Sequence, residues 1–270
     1  MKKRYQIALL GLLLAACGEP TAPEPSETAA ADSKPARPAC ELTLGWDPWE
    51  PYQYAAVDGS ISGLDIELAS LLAGDAGCTL RYERGEWGEL LDRLKQGDVD
   101  LLLAGTPLEE RRVYAHFSEP YRSESFALYV RRDDAERLSD LSLQEMAEAG
   151  HRIGLTSGYF YSDAINEMAY SDELREQFKV APFVDLNYWR LLDGTVDAIL
   201  ADPIAMSAFM RRKGLESRLA KHPLTIESGQ VSLMFSRASV DEAVVQRFNR
   251  ALVVRQDNGT IKRLLSRYGS

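Results

Sequence analysis

A unit of helix, glycine, buried strand, polar residue and proline occurs twice in this chain, its two glycines 97 residues apart. The first copy runs through Arg93-Leu94-Lys95-Gln96-Gly97-Asp98-Val99-Asp100 and an apolar run to Ala104, then Gly105-Thr106-Pro107. The second runs through Leu191-Leu192-Asp193-Gly194-Thr195-Val196-Asp197 and Ala198 to Ala201, then Asp202-Pro203. In each, a helix stops at a glycine, the residue type that closes helices in the left-handed conformation. A nearly unbroken apolar run follows, as in a strand buried on both faces. A polar cap and a proline then open the next helix. Thr106-Pro107-Leu108-Glu109 fits a capping box, with Thr106 at the N-cap and Glu109 at N3. Strand–helix–strand order requires right-handed crossovers and a parallel sheet, which is an α/β fold. Two matching units predict two similar lobes rather than one large sheet. Ligands in open α/β sheets sit at the carboxyl ends of the strands, so Gly105-Thr106 and Asp202 stand at candidate sites.

Further elements extend the pattern. Leu42–Trp46 and Thr79–Tyr82 read as strands. Gly63–Leu72 carries apolar residues at helical spacing, and Trp87–Gln96 is a second helix ending at Gly97. Without residues 1–16 the chain holds 28 Lys and Arg against 41 Asp and Glu. A chain so acidic is a poor partner for nucleic acid or anionic lipid. His116, His151 and His222 are scattered with no zinc-like spacing, so neither a metal nor a cofactor is expected. No G-x-S-x-G, P-loop or H-E-x-x-H motif occurs.

The amino terminus reads as an address. Lys2-Lys3-Arg4 precedes the apolar Ile7–Leu14, too short to span a bilayer as a mature helix. Leu14-Ala15-Ala16-Cys17 resembles the bacterial lipobox, which implies lipidation of Cys17 after removal of residues 1–16. Residues 18–39 hold five of the twelve prolines and no large apolar side chain. Residues 17–39 are therefore expected to be a lipidated cysteine on a disordered tether. Cys40 and Cys78 each precede a strand. In an oxidising compartment an even pair reads as a disulfide, and neighbouring parallel strands bring their starts within reach of one.

Nine segments together resemble the family 3 extracytoplasmic solute-binding proteins, the polar amino-acid binders that feed ABC importers. They are Gly45-Trp46-Asp47 with Trp49-Glu50-Pro51-Tyr52, Gly63–Leu68, Trp87, Gly97–Asp100, Ala104-Gly105-Thr106 with Glu110-Arg111, Phe117–Tyr121, Ile153-Gly154-Leu155 with Gly158, Gly194 with Val196-Asp197 and Asp202, and Asp257–Thr260. The resemblance implies a type II, periplasmic-binding-protein-like α/β fold of two lobes. Each lobe is a mostly parallel sheet flanked by helices, and two hinge strands join them. Lobe 1 is expected at 40–129 and 230–270 and lobe 2 at 130–229. The hinges then fall near Leu128–Arg131 and Gly229–Val231.

A free amino acid presents a carboxylate, an ammonium and a side chain, and burying either charge requires a partner. Arg111 is the candidate cation, because a guanidinium holds a carboxylate bidentately. The expected helix after Thr106 adds backbone N–H groups. Thr106 offers either its hydroxyl or amide to the ligand, or only a helix cap. Asp202 is either the anion for the ammonium, as the resemblance implies, or the N-cap of the helix at Pro203. Trp49 and Trp87 fit positions of aromatic walls, while Trp46 reads as core. Asp47 is a side-chain contact or a turn residue before Pro48. Ala104 and Gly105 belong to the same matched segment as Thr106. Thr156-Ser157-Gly158-Tyr159-Phe160 matches a loop that gives backbone N–H groups to the ligand carboxylate, with bulky Tyr159 and Phe160 where small residues are common.

The expected protein is a monomeric lipoprotein outside the cytoplasm. It captures a polar L-amino acid, with a lean to a cationic one, delivers it to an ABC permease and is no enzyme. The alternatives are a ligand-sensing lipoprotein without transport, or an enzyme like the cyclohexadienyl dehydratases, which would need Asp47 or Glu50 as general acid.

Overall fold

The computed structural model describes residues 40–268; the expected signal segment, Cys17 and the tether through residue 39 lie outside the described residues. β1 (Glu41–Trp46) is followed by the hairpin β2 (Tyr54–Ala55) and β3 (Ile61–Ser62), α1 (Leu64–Asp75), β4 (Thr79–Arg84), α2 (Trp87–Gln96), β5 (Leu101–Gly105), α3 (Glu109–Arg112) and β6 (Ala115–Phe117). β7 (Arg122–Arg131) leads to α4 (Ala135–Leu138), α5 (Leu143–Glu148), β8 (Ile153–Thr156), α6 (Asp163–Tyr170), β9 (Phe178–Ala181), α7 (Val184–Asp193), β10 (Ala198–Ala201) and α8 (Pro203–Lys213). The 18-residue β11 (Leu219–Ser236), α9 (Glu242–Asp257) and α10 (Thr260–Tyr268) complete the order.

The repeated unit has a physical basis in each copy. α2 buries Trp87, Leu90 and Leu94 along one face and ends at Gly97 with φ 86°. α7 ends at Gly194 with φ 82°. The aspartate three residues past each glycine then ties its strand to the neighbouring one. Asp100 accepts the amide of Thr43 in β1 at 2.7 Å. Asp197 accepts the amide of Arg152 at 2.9 Å, just before β8, and pairs with the guanidinium groups of Arg152 and Arg131. Burial opposes ionisation of Asp197, but these donors outweigh it and hold the carboxyl down at about 2.

The strands follow the order β4-β1-β5-β11-β7-β10-β8-β9, with β6 also against β11. β4-β1-β5 are parallel, as are β10-β8-β9. β11 lies antiparallel to β5, β7 lies antiparallel to β10, and β7 and β11 pair with each other. The two parallel sets are therefore joined into one hydrogen-bonded path. The expectation of two lobes without a large common sheet is corrected on this point: the hinge strands belong to both. Ala127–Val130 already pair with β10, so the outgoing hinge precedes Leu128 and occupies about Arg122–Phe126. β11 carries register shifts between Lys221 and Thr225 and between Glu227 and Gly229, irregularities that bend a strand. α9 and α10 return to pack with α1 of the first lobe. At the far edge of that lobe, Glu41 stands opposite Thr79, and the sulfurs of Cys40 and Cys78 are joined at 2.08 Å.

Candidate ligand-binding cleft

The carboxyl ends of β1, β5 and β8 converge on the hinge strand β7. Asp47 and Trp49 follow β1, and Trp87 opens α2. Ala104, next to last in β5, lies in the left-handed region, φ 55°, a conformation that residues other than glycine rarely adopt. Arg111 stands on α3, Glu124 and Phe126 on β7, and Gly158, Tyr159 and Phe160 on the loop after β8. These residues, with Thr106, Gln53 and Leu103, surround one cavity.

Aromatic rings gather in its wall around one side chain. The Tyr159 ring lies 6.2 Å from Trp49, 6.5 Å from Trp87 and 6.2 Å from Phe126, centroid to centroid. About 30 Å³ of free volume remains, which at roughly 10–15 Å³ per water is room for two or three waters. Two wider compartments of about 240 and 450 Å³ adjoin it, sharing Trp49 and Asp47 with it.

Arg111 is 5% exposed. Its Nη2 donates to the Gly158 carbonyl at 2.7 Å and its Nη1 to the Thr106 carbonyl at 3.3 Å. Trp87 Nε1 donates to the same Gly158 oxygen at 3.0 Å. One carbonyl of the second lobe thus receives two donors of the first. Gly158 has φ 73°, and a Cβ there would stand 3.0 Å from Trp87, so both conformation and approach favour glycine. Burial pulls the Arg111 pKa down, opposed by Tyr114, Glu110 and Glu124.

Two carboxyl groups face the cavity in unusual states. Burial pushes Asp47 up to about 7, with Asp65 adding to the rise. Burial also pushes Glu124 up to about 7 against the pull of Arg122, with Asp202 and Asp65 raising it further. Glu124 is 7% exposed, and its nearest charged partner is Arg122 Nη1 at 3.9 Å. Arg122 is committed elsewhere: its Nε and Nη2 donate to both carboxyl oxygens of Asp65 at 3.3 and 3.2 Å. Gln53 Oε1 and Trp49 Nε1, buried on residues that line the same cavity, have no hydrogen-bond partner among the described residues.

Of the residues expected at the site, Asp47, Trp49, Trp87, Ala104, Thr106, Arg111, Tyr159 and Phe160 come together here. Three do not line it. Gly105 pairs with Ser232 of β11 behind the wall. Thr156 donates its amide to Tyr161 Oη and accepts from Asn187. Asp202 is 4% exposed, accepts the amides of Ile204 and Ala205 at the start of α8, and takes the Tyr52 hydroxyl at 3.1–3.2 Å.

Three local expectations are corrected. The chain makes a tight turn at Pro107, with Leu108 N donating to the Thr106 carbonyl at 2.9 Å, so α3 starts at Glu109 with Leu108 as a cap that uses no side chain. The capping box at Thr106 does not form, and a four-residue helix supplies no anion site. In the loop after β8, Thr156 N donates to Tyr161 Oη, Ser157 N to Ala181 and Tyr159 N to Thr156, which narrows the expected N–H donors to Gly158 and Phe160, while the Gly158 carbonyl accepts from Arg111. The Ala104 amide is likewise taken, by Tyr121 Oη at 2.9 Å. Glu50, an alternative general acid, pairs instead with Arg212 of α8.

The sequence reading did not anticipate Glu124, Phe126, Gln53 and Leu103. For Glu124 the signal was present: Arg122, Glu124 and Phe126 alternate along one strand, which puts two charges on the face of a buried aromatic.

Comparison with known proteins agrees with this architecture. Residues 42–270 match the family model of bacterial extracellular solute-binding proteins, family 3. The arginine-binding extracellular protein ArtP of Bacillus subtilis is 25% identical over 224 residues, 82% of each chain. A solved ancestral arginine-binding protein bound to arginine superposes with a TM-score of 0.71, at 19% identity, over 85% of this chain and 98% of that one. Among the described residues no helix is long and apolar enough to cross a membrane. One relative corrects the expectation that the chain is no enzyme. Membrane-bound lytic murein transglycosylase F of Cronobacter sakazakii is 28% identical over 223 residues, 80% of this chain but 40% of that one. A module of this kind is therefore carried within an enzyme, and the resemblance does not exclude catalysis. With the family model matched over nearly all described residues and the fold shared with solved binding proteins, the chain belongs to the bacterial extracellular solute-binding proteins, family 3.

Proposed function

We propose that this protein captures a cationic L-amino acid in the cleft between its lobes and delivers it to an ABC permease, held at the membrane by a lipid on Cys17. The observation that carries the reading is the charge inventory of the cavity. One guanidinium, Arg111, and two carboxyls, Asp47 and Glu124, stand among five aromatic side chains. A cationic amino acid is the complement: one carboxylate and two cations on an apolar stem. Buried charges of this kind need partners of opposite sign, and aromatic faces attract cations. A neutral amino acid would leave one carboxyl unanswered. The name of the Bacillus subtilis relative points the same way.

A thermal-shift panel tests the ligand class, with L-arginine, L-lysine, L-ornithine, L-glutamine and L-glutamate. A ligand at 100 times its Kd stabilises by about 2.7 kcal/mol. At least one cationic member is expected to raise the melting temperature well above any neutral or acidic one. A panel led by glutamine or glutamate refutes the reading. Loss of uptake of the same amino acid on deletion of the gene separates delivery from sensing.

A further inference from the structure

The chain carries 41 Asp and Glu against 31 Lys and Arg, yet its last two helices reverse that balance. α9 and α10 hold six cations, Arg247, Arg250, Arg255, Lys262, Arg263 and Arg267, against Glu242 and Asp257. Both helices pack on α1. Two of the six are answered within the fold, Arg255 by Asp75 at 2.7 Å and Arg267 by Glu67 at 2.5 Å. Arg247 donates to the Ala76 carbonyl at 2.9 Å. Among the described residues no carboxylate pairs with Arg247, Arg250, Lys262 or Arg263.

These cations line two surface hollows. Arg247, Arg250 and Val254 stand around one of about 470 Å³, with Asp75 of α1 in its wall. Lys262 and Arg263 stand around another of about 670 Å³, with Leu71 of α1 in its wall. Leu71 and Asp75 are one turn apart and so lie on the same side of α1, which sets the hollows side by side. Val254 is 58% exposed and Leu71 is 38% exposed. Unpaired guanidinium and ammonium groups together with exposed apolar side chains complement phosphates arrayed over an apolar layer, which is the surface of an anionic bilayer.

The place of this face in the fold decides what lies near it. Arg247 Nη2 stands 3.5 Å from Sγ of Cys78, which is bonded to Cys40, the first described residue. The segment expected to carry the lipid therefore leaves the fold beside the first hollow. As a flexible coil, residues 18–39 reach about 25 Å. A chain held at Cys17 then keeps this face within about three Debye lengths of the headgroups at physiological salt. Cys40 and Cys78 precede the amino ends of β1 and β4, whereas the cleft stands at the carboxyl ends of β1 and β5. A chain resting on this face turns its cleft away from the bilayer, towards the solute.

We propose that the α1–α9–α10 face of the first lobe is a docking surface for anionic phospholipid, with Arg250, Lys262 and Arg263 meeting headgroup phosphates and Val254 and Leu71 meeting the apolar boundary. The acid excess of the rest of the chain repels the same surface, so the contact orients the protein. The inference takes the lipid on Cys17 from the function proposed above and is independent of which amino acid fills the cleft.

Vesicle co-sedimentation at low ionic strength tests the face without the anchor, on a chain from residue 18 onward that keeps every described residue. The probes are vesicles of phosphatidylcholine alone and of phosphatidylcholine with phosphatidylglycerol in equal parts. Binding to the mixed vesicles is expected, with a steep loss as salt is raised. Each cation contributes roughly 5-fold to partitioning at such a surface, so Arg250→Ser/Lys262→Ser/Arg263→Ser should lower it by roughly 100-fold, towards the level of phosphatidylcholine alone. Arg211→Ser/Lys213→Ser/Lys221→Ser removes three exposed cations of the second lobe and makes the same change in net charge. That variant should shift partitioning by less than about 3-fold. All six positions are exposed, and melting of each variant checks that the fold is kept. No preference for phosphatidylglycerol, or equal losses in the two triple variants, overturns the proposal. The tested chain lacks Cys17, so such a failure leaves the proposed anchor and ligand untouched. An exported full-length chain whose mass shows no lipid refutes the anchor instead, and with it the placement of this face against a bilayer.

Discussion

Beneath the cavity, Arg122 and Asp65 form a pair whose removal should be felt by the whole fold. Asp65 is 1% exposed and Arg122 is 7% exposed. Two hydrogen bonds join them, and the guanidinium lies 4.3 Å from the Tyr52 ring centroid, 5.4 Å from Trp49 and 5.7 Å from Tyr121. The pair ties the hinge strand β7 to the first turn of α1. Breaking a buried pair from one side costs about 3–5 kcal/mol. The three rings and the distant Glu124 soften the loss for a stranded guanidinium, so we expect about 3 kcal/mol for Asp65→Asn. At roughly 2–4 °C per kcal/mol for a chain of this length, that lowers Tm by about 6–12 °C. The two halves of the pair are unequal. A stranded carboxylate escapes by taking a proton, whereas a guanidinium cannot lose one. At pH 6, Asp65→Asn should therefore cost more than Arg122→Met. The double variant Asp65→Asn/Arg122→Met should recover part of the loss, because it buries no charge. Equilibrium unfolding in urea, followed by tryptophan fluorescence, supplies all four corners of the cycle. A loss under about 1 kcal/mol in Asp65→Asn, or a double variant worse than the two singles together, refutes the reasoning.

Glu124 near 7 in the folded chain lies above the ordinary glutamate value of about 4.3, so the native state holds its proton more tightly than the unfolded one. Stability must then fall as pH rises through the window from about 4 to about 7. The groups that act on it are Arg122 and Arg111, which favour its charge, and Asp202 and Asp65, which oppose it. The stability difference between wild type and Glu124→Gln, measured in urea at pH 5, 6.5 and 8 without ligand, should move steadily in favour of the variant; a flat difference contradicts the burial argument. At the other edge of the first lobe, Cys40 and Cys78 are 38 residues apart, and chain-entropy arithmetic rates such a crosslink at about 4 kcal/mol. Exported protein should resist alkylation until reduced and should then lose a large part of its urea midpoint; two thiols that alkylate without reductant would dismiss the bridge.

What was legible in the sequence was what local chemistry decides. Gly97 and Gly194 stop their helices because the left-handed turn is a property of a few adjacent residues. Asp202, expected as the ligand's anion with a helix cap as the alternative, does cap α8, and that part is local too. Thr106 shows the limit of that logic. The pattern Thr-Pro-Leu-Glu suits a capping box, yet the chain turns at Pro107, the helix starts only at Glu109 and the pattern goes unused. The contacts that make the cavity lie between residues far apart in the chain. Arg111 meets a carbonyl 47 positions away, and Tyr52 meets Asp202 150 positions away. No spacing rule reaches those distances, and resemblance supplied the positions of Arg111 and Trp87 without supplying their partners. Glu124 was within reach of a stricter reading. In Arg122-Ser123-Glu124-Ser125-Phe126 the alternate residues share a face, and that face carries the aromatic that must be buried. A strand that puts an arginine and a glutamate beside a buried phenylalanine commits two charges to the interior. The arginine finds its answer in Asp65. Among the described residues the glutamate has only a contact at 3.9 Å to an arginine already taken, and a carboxyl left so nearly unanswered at the wall of a cavity is where a cationic ligand has the most to contribute.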